Sequence, residues 1–221
     1  MSWNELLVQV VLAGFSAFGG AFAAFYLERR RDGKKETDEK YLAARYAHFV
    51  VLTQYQEILT LERGHLAEFK ENQYAWRLLQ PAIAGFLAST LNSMELSFLL
   101  EAPDPDLLNR LTLGQQRYET VRKILALRAD AHGALQARTA QLHLNGVEAV
   151  SDEDSARLVG LDVVGALKSL TLALYQCQPA AKLLLERNLE DLTAFIKATF
   201  PDRRAPRYVL SPDGASRGTS D

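Results

Sequence analysis

The chain has 221 residues, with 25 Lys and Arg against 27 Asp and Glu for a formal net charge of −2, 48% hydrophobic side chains and one cysteine. That length supports one good core, or one domain with appendages. The charge balance supplies no basic field for gathering nucleic acid, and the lone Cys177 excludes an internal disulfide framework, so no nucleic-acid partner and no disulfide scaffold are expected.

From Leu6 to Leu27 the chain runs 22 residues without a formal charge, and Gln9 and Ser16 are its strongly polar side chains. At 1.5 Å per residue this spans a hydrocarbon core of roughly 30 Å, which predicts a single transmembrane helix within residues 1–28. A secretory signal peptide fits less well, because no Lys or Arg precedes the apolar run. Arg29, Arg30, Arg31, Lys34, Lys35 and Lys40 follow it directly. By the positive-inside rule they hold that flank in the cytoplasm of a bacterial inner membrane, with a short N-terminus outside.

Spacing divides the apolar run into two faces. Phe15, Phe18, Phe22 and Phe25 fall on one, while Ala13, Ser16, Ala17, Gly20, Ala23 and Ala24 gather on the other. Ser16, Gly20 and Ala24 form a ladder of small residues at intervals of four, which permits close approach of two helices in lipid. A homo-oligomer formed through this face is the expected consequence.

Residues 29–40 are charge-dense and contain Gly33, as expected of a juxtamembrane linker or a solvated helical extension. A cytoplasmic helical bundle is expected over 41–200. Its first helix, of about 35 residues, carries Phe49, Leu52, Leu59 and Leu66 in a stripe interrupted by Gln56 and Arg63. Two shorter helices follow, punctuated by Pro81, Asn92-Ser93 and the Pro103/Pro105 pair, with Ser93 as a candidate N-cap. Asp104-Pro105 starts a second long helix. Leu107, Leu111, Gly114, Tyr118, Val121, Leu125, Arg128, His132, Leu135, Thr139 and Leu142 follow at steps of three and four, the spacing of a bundle or coiled-coil seam. After the loop around Asn145-Gly146, Ser151 and Asp154 resemble a capping box opening a helix over 152–200, with a kink expected near Pro179. Leu158–Tyr175 is apolar nearly all round, but Asp162 and Lys168 argue for a central bundle helix rather than a second span. Residues 201–221 have the Pro, Gly, Ser and charge content of a disordered tail. The predicted class is therefore all-α, an anchor followed by an up-and-down bundle.

Chemistry-bearing patterns are sparse. Glu62 and His65 have the E-x-x-H spacing of di-iron bundles, but no second copy precedes His48, His132 or His143, so no metal site is expected. Cys177 sits in an apolar run as a small buried thiol. No phosphate-binding, zinc-peptidase, nucleophile-elbow or C-x-x-C motif occurs, and neither a cofactor nor an enzymatic activity is expected. The polar residues on apolar seams, Gln56, Arg63, Arg128 and His132, either fix helix register or build a buried site. An antiparallel first pair of long helices would bring His132 to the level of His48 and Val51.

The expected role is that of a single-pass membrane protein whose bundle binds an unidentified protein partner or carries a scaffold or assembly function. Two alternatives differ in class. One is a ligand-sensing or enzymatic site around Arg63, Arg128 and His132. The other is a membrane-active envelope protein, resting on Leu158–Tyr175.

Overall fold

The computed structural model describes residues 3–81, 90–141, 156–157 and 159–206, and side chains from Phe22 onward with Ala23 excepted. Among the described residues all regular structure is helical. Helix α1 covers Trp3–Leu61, α2 Ala75–Leu78, α3 Asp106–Gln141 and α4 Leu161–Thr199. A π-turn over Glu62–Leu66 and a 3-10 turn over Ala67–Phe69 close α1, and a second 3-10 turn spans Ser97–Glu101. The capping box at Ser151 and Asp154, His143 and the tail beyond 206 lie outside the described residues.

Two units divide the chain at residue 43. The first belongs to α1, and residues 29–40, expected as a linker or a solvated helical extension, are helical. Their charges pair along the helix: Lys40 Nζ donates to Glu36 Oε1 at 2.6 Å, and Lys35 lies 3.9 Å from Glu39. Such i, i+4 pairs support a helix that is polar on all sides. Among the described residues no helix is long and apolar enough to cross a membrane. Most side chains of 6–27 fall outside those residues.

The second unit is the bundle. Its α3 seam is buried from Leu107 through Leu111, Gly114, Tyr118, Val121, Leu125 and Arg128 to His132. Opposite it α4 buries Val163, Val164, Leu167, Thr171, Leu174, Gln178, Ala181, Leu185, Asn188, Leu189, Leu192 and Ile196. The α3–α4 pair is antiparallel: Arg110 Nε meets Asp191 at 2.8 Å near one end, and the two terminal guanidinium nitrogens of Arg138 reach Asp162 at 2.9 Å near the other.

The up-and-down order is corrected. Gln54 Nε2 donates to Gln115 Oε1 at 2.6 Å and Tyr118 donates to Glu57, so both helices advance together and α1 runs parallel to α3. Against α4 it is antiparallel, since Glu62 accepts from Lys182 and the Leu66 carbonyl accepts from Tyr175. Residues 67–105 carry the chain back to the start of α3, and their described part holds only short helical turns. His132 consequently lies far from His48: it is 17 residues beyond the Gln54–Gln115 contact, about 26 Å of helix.

Three local expectations also change. No helix begins at Ser93; Asn92 Oδ1 instead accepts from the Met94 amide in an Asx turn. The last helix starts at Leu161 because Gly160 breaks the chain with φ 107°, a conformation glycine reaches without penalty, and α4 then continues through Pro179. On α1 the buried stripe is Ala44, Ala47, Val51, Tyr55, Ile58 and Leu61, whereas Phe49 is 59% exposed.

Candidate functional site

The polar seam residues separate. Gln56 and Arg63 stand on the exposed side of the α1 region. Arg128 and His132 are buried on α3, at 1% and 4% exposure. Of the three residues expected around a ligand site, Arg63 is exposed while Arg128 and His132 are buried.

Arg128 is placed by the α3 seam, which turns every third or fourth residue towards α4. Its Nε donates to Thr171 Oγ1 at 3.1 Å, and its Nη2 donates to the carbonyls of Trp76 at 3.2 Å and Leu79 at 2.5 Å. Those carbonyls lie at the C-terminus of α2, where a four-residue helix leaves its acceptors unmatched. A cation there completes hydrogen bonds and complements the negative end of the peptide dipoles. The arginine thus fastens the connector to the α3–α4 pair. Burial lowers its pKa from the ordinary arginine value, with Tyr175 opposing the shift.

Trp76, Val159, Val163, Val164 and Leu167 form an apolar cluster beside this clamp. The Lys168 ammonium lies 5.5 Å from the centre of the Trp76 ring, a cation–π arrangement. Trp76 Nε1 and His132 Nδ1 are buried without a hydrogen-bond partner among the described residues. Burial, and then the charge of Arg128, lower the pKa of His132, so its neutral form is favoured.

A second polar layer joins α1 to α3. Gln115 accepts from Gln54, donates to Glu119 Oε1 at 2.7 Å and accepts from the Leu91 amide at 3.4 Å. One turn on, the Tyr118 hydroxyl donates to Glu57; burial, then that carboxylate, push the phenol pKa well above its ordinary value. His48, 3% exposed, is lowered to about 4 by burial and by Arg45. Sequence reasoning missed Gln54, Gln115, Thr171, Gln178 and Asn188 as interior polar groups. The α3 period did point to the face holding Gln115.

Glu62 and His65 fall in the π-turn, where the Glu62 carboxylate accepts from Lys182 Nζ at 2.7 Å. Among the described residues no group of three His, Cys, Asp or Glu side chains could hold a metal. Cys177 is half-buried rather than enclosed. In Leu158–Tyr175, Val163, Val164, Leu167, Thr171 and Leu174 face the core, while Leu161 and Leu172 are exposed. An open depression of about 660 Å³ is lined by Glu68, Glu71, Asn72, Gln73 and Tyr74, with no buried group directed into it.

The described residues thus define an all-helical bundle with a polar interior largely engaged in cross-links between its own elements. Compared with family models, curated proteins and solved structures, the chain matches none.

Proposed function

We propose that this chain is a single-pass membrane protein whose helical bundle faces the cytoplasm and serves as a scaffold or assembly module for a protein partner. The observation that carries the reading is the 22-residue uncharged run from Leu6 to Leu27, followed after Glu28 by Arg29, Arg30 and Arg31 on the same helix as the bundle's first element. The chemistry of the interior supports a binding role over an enzymatic one. Arg128, Gln115 and Tyr118 are spent on carbonyl, amide and carboxylate groups of this chain, and Arg63 stands outside. In the membrane, the Ala13, Ser16, Ala17, Gly20, Ala23 and Ala24 face offers the close approach that self-association requires.

Topology provides the test. A reporter fused after Asp221 is expected to behave as cytoplasmic, and the chain to resist extraction from membranes by alkaline carbonate. Periplasmic reporter activity would reverse the orientation. Release into the soluble fraction would remove the anchor.

A further inference from the structure

Arg128 has hydrogen bonds but no counter-charge. Its Nε and Nη2 bind a threonine hydroxyl and two backbone carbonyls, and no carboxylate is among these partners, although the residue is 1% exposed. A buried cation without a paired anion is costly. Two further nitrogens beside it are left over. His132 stands one turn beyond Arg128 on the buried face of α3. Trp76, whose carbonyl binds Arg128, belongs to the cluster against which Ala131, Ala134 and Leu135 of that turn pack. Trp76 Nε1 and His132 Nδ1 are both inaccessible, and neither has a hydrogen-bond partner among the described residues. Buried polar groups are paired as a rule, so two orphans beside one uncompensated guanidinium point to an occupant they share.

The chemistry of these groups sets the sign of that occupant. An indole N–H can only donate, and the Nδ1–H tautomer of a neutral imidazole donates as well. The Lys168 ammonium, 5.5 Å from the centre of the Trp76 ring, adds positive charge from α4. We propose that Trp76, His132 and Arg128 hold a compact anion of the halide class, such as chloride, with the Trp76 and His132 N–H groups as donors and the Arg128 guanidinium as counter-charge. A water molecule accepts the same hydrogen bonds but leaves the guanidinium uncompensated. The enclosure of both nitrogens favours a single atom over an oxyanion, whose several oxygens would each need a donor. The inference does not depend on the membrane-anchor reading, since every residue in it belongs to the bundle.

The test uses the full chain in detergent with Trp3→Phe, which leaves Trp76 as its single indole. Bromide, a heavy-atom quencher, is the probe, with ionic strength held constant by gluconate. Emission is expected to fall to a plateau as bromide fills the site, and chloride in about tenfold excess should restore most of it by mass action. His132→Phe keeps a ring but removes the donor. It should weaken bromide binding by about tenfold or more, the loss of one hydrogen bond to an ion, with helicity by circular dichroism unchanged. Emission that ignores bromide shows that the site holds no halide and overturns the inference. So does a decline that stays linear in bromide, the mark of collision from solvent, or a plateau that His132→Phe does not shift. If the variant loses its helicity, chloride competition in the parent chain decides alone.

Discussion

Arg128 ties the connector to the α3–α4 pair. The residue is 1% exposed, and its guanidinium holds two backbone carbonyls and a threonine hydroxyl. Arg128→Met keeps the length and apolar stem but leaves buried carbonyls unmatched, for an expected loss of about 2–4 kcal/mol by urea unfolding. Arg128→Lys should recover little, since one ammonium cannot reproduce the forked set of donors. A different constraint acts at Gly114, where α3 approaches α4 so closely that an added Cβ would overlap Asn188 Nδ2. That amide, from a residue 1% exposed, donates to the Arg110 carbonyl at 3.1 Å. Gly114→Ala should therefore cost about 1–3 kcal/mol by overpacking. In a double-mutant cycle with Asn188→Ala the two costs should fall short of additivity; strict additivity would show that the close approach is not what limits position 114.

Among elements, α3 was the most legible. Its seam reads from Leu107 to His132 because bulky apolar residues recur without interruption and the buried face follows them. On α1 the same reasoning selected Phe49 and missed Ala44, Ala47, His48 and Gln54, which are the buried residues. Hydrophobic period ranks side chains by size and polarity, whereas a helix gripped closely by its neighbours buries small groups and matched polar pairs. The Gln54–Gln115 hydrogen bond exists only once two distant segments meet, so neither residue signals it alone. The apolar run of α1 poses an element-scale question of its own. If the Ser16, Gly20, Ala24 ladder packs helix on helix, Gly20→Ile should reduce crosslinking of the isolated span severalfold, and Phe22→Ile on the other face should change it little. Equal effects would reduce the span to a passive tether.

At the scale of the whole molecule, the parallel course of α1 and α3 was beyond reach of local pattern. It is set by a connector whose described helical turns are short and whose attachments, Arg128 to the Trp76 and Leu79 carbonyls and Gln115 to the Leu91 amide among them, reach across long stretches of sequence. The same long-range assembly buries two histidines in the neutral state, His48 on α1 and His132 on α3, each near an arginine that disfavours protonation. Their folded pKa values lie below the ordinary 6.5, so below pH 6.5 the unfolded chain takes up protons that the fold refuses. Stability should be fully present above that pH and decline as the pH falls towards 4, with His48 alone accounting for a loss of about 2 kcal/mol between pH 7.5 and pH 5. The opposite edge belongs to Tyr118, whose raised pKa makes the fold hold its proton, so stability should also decline as the pH rises above 10. Urea midpoints of a fragment covering residues 37–206 should therefore trace a plateau bounded by the two histidines on the acid side and Tyr118 on the alkaline side. His48→Gln should flatten the acid limb without moving the alkaline one, and Tyr118→Phe should do the reverse; an acid limb unchanged by His48→Gln would assign the loss of stability to groups outside this buried layer.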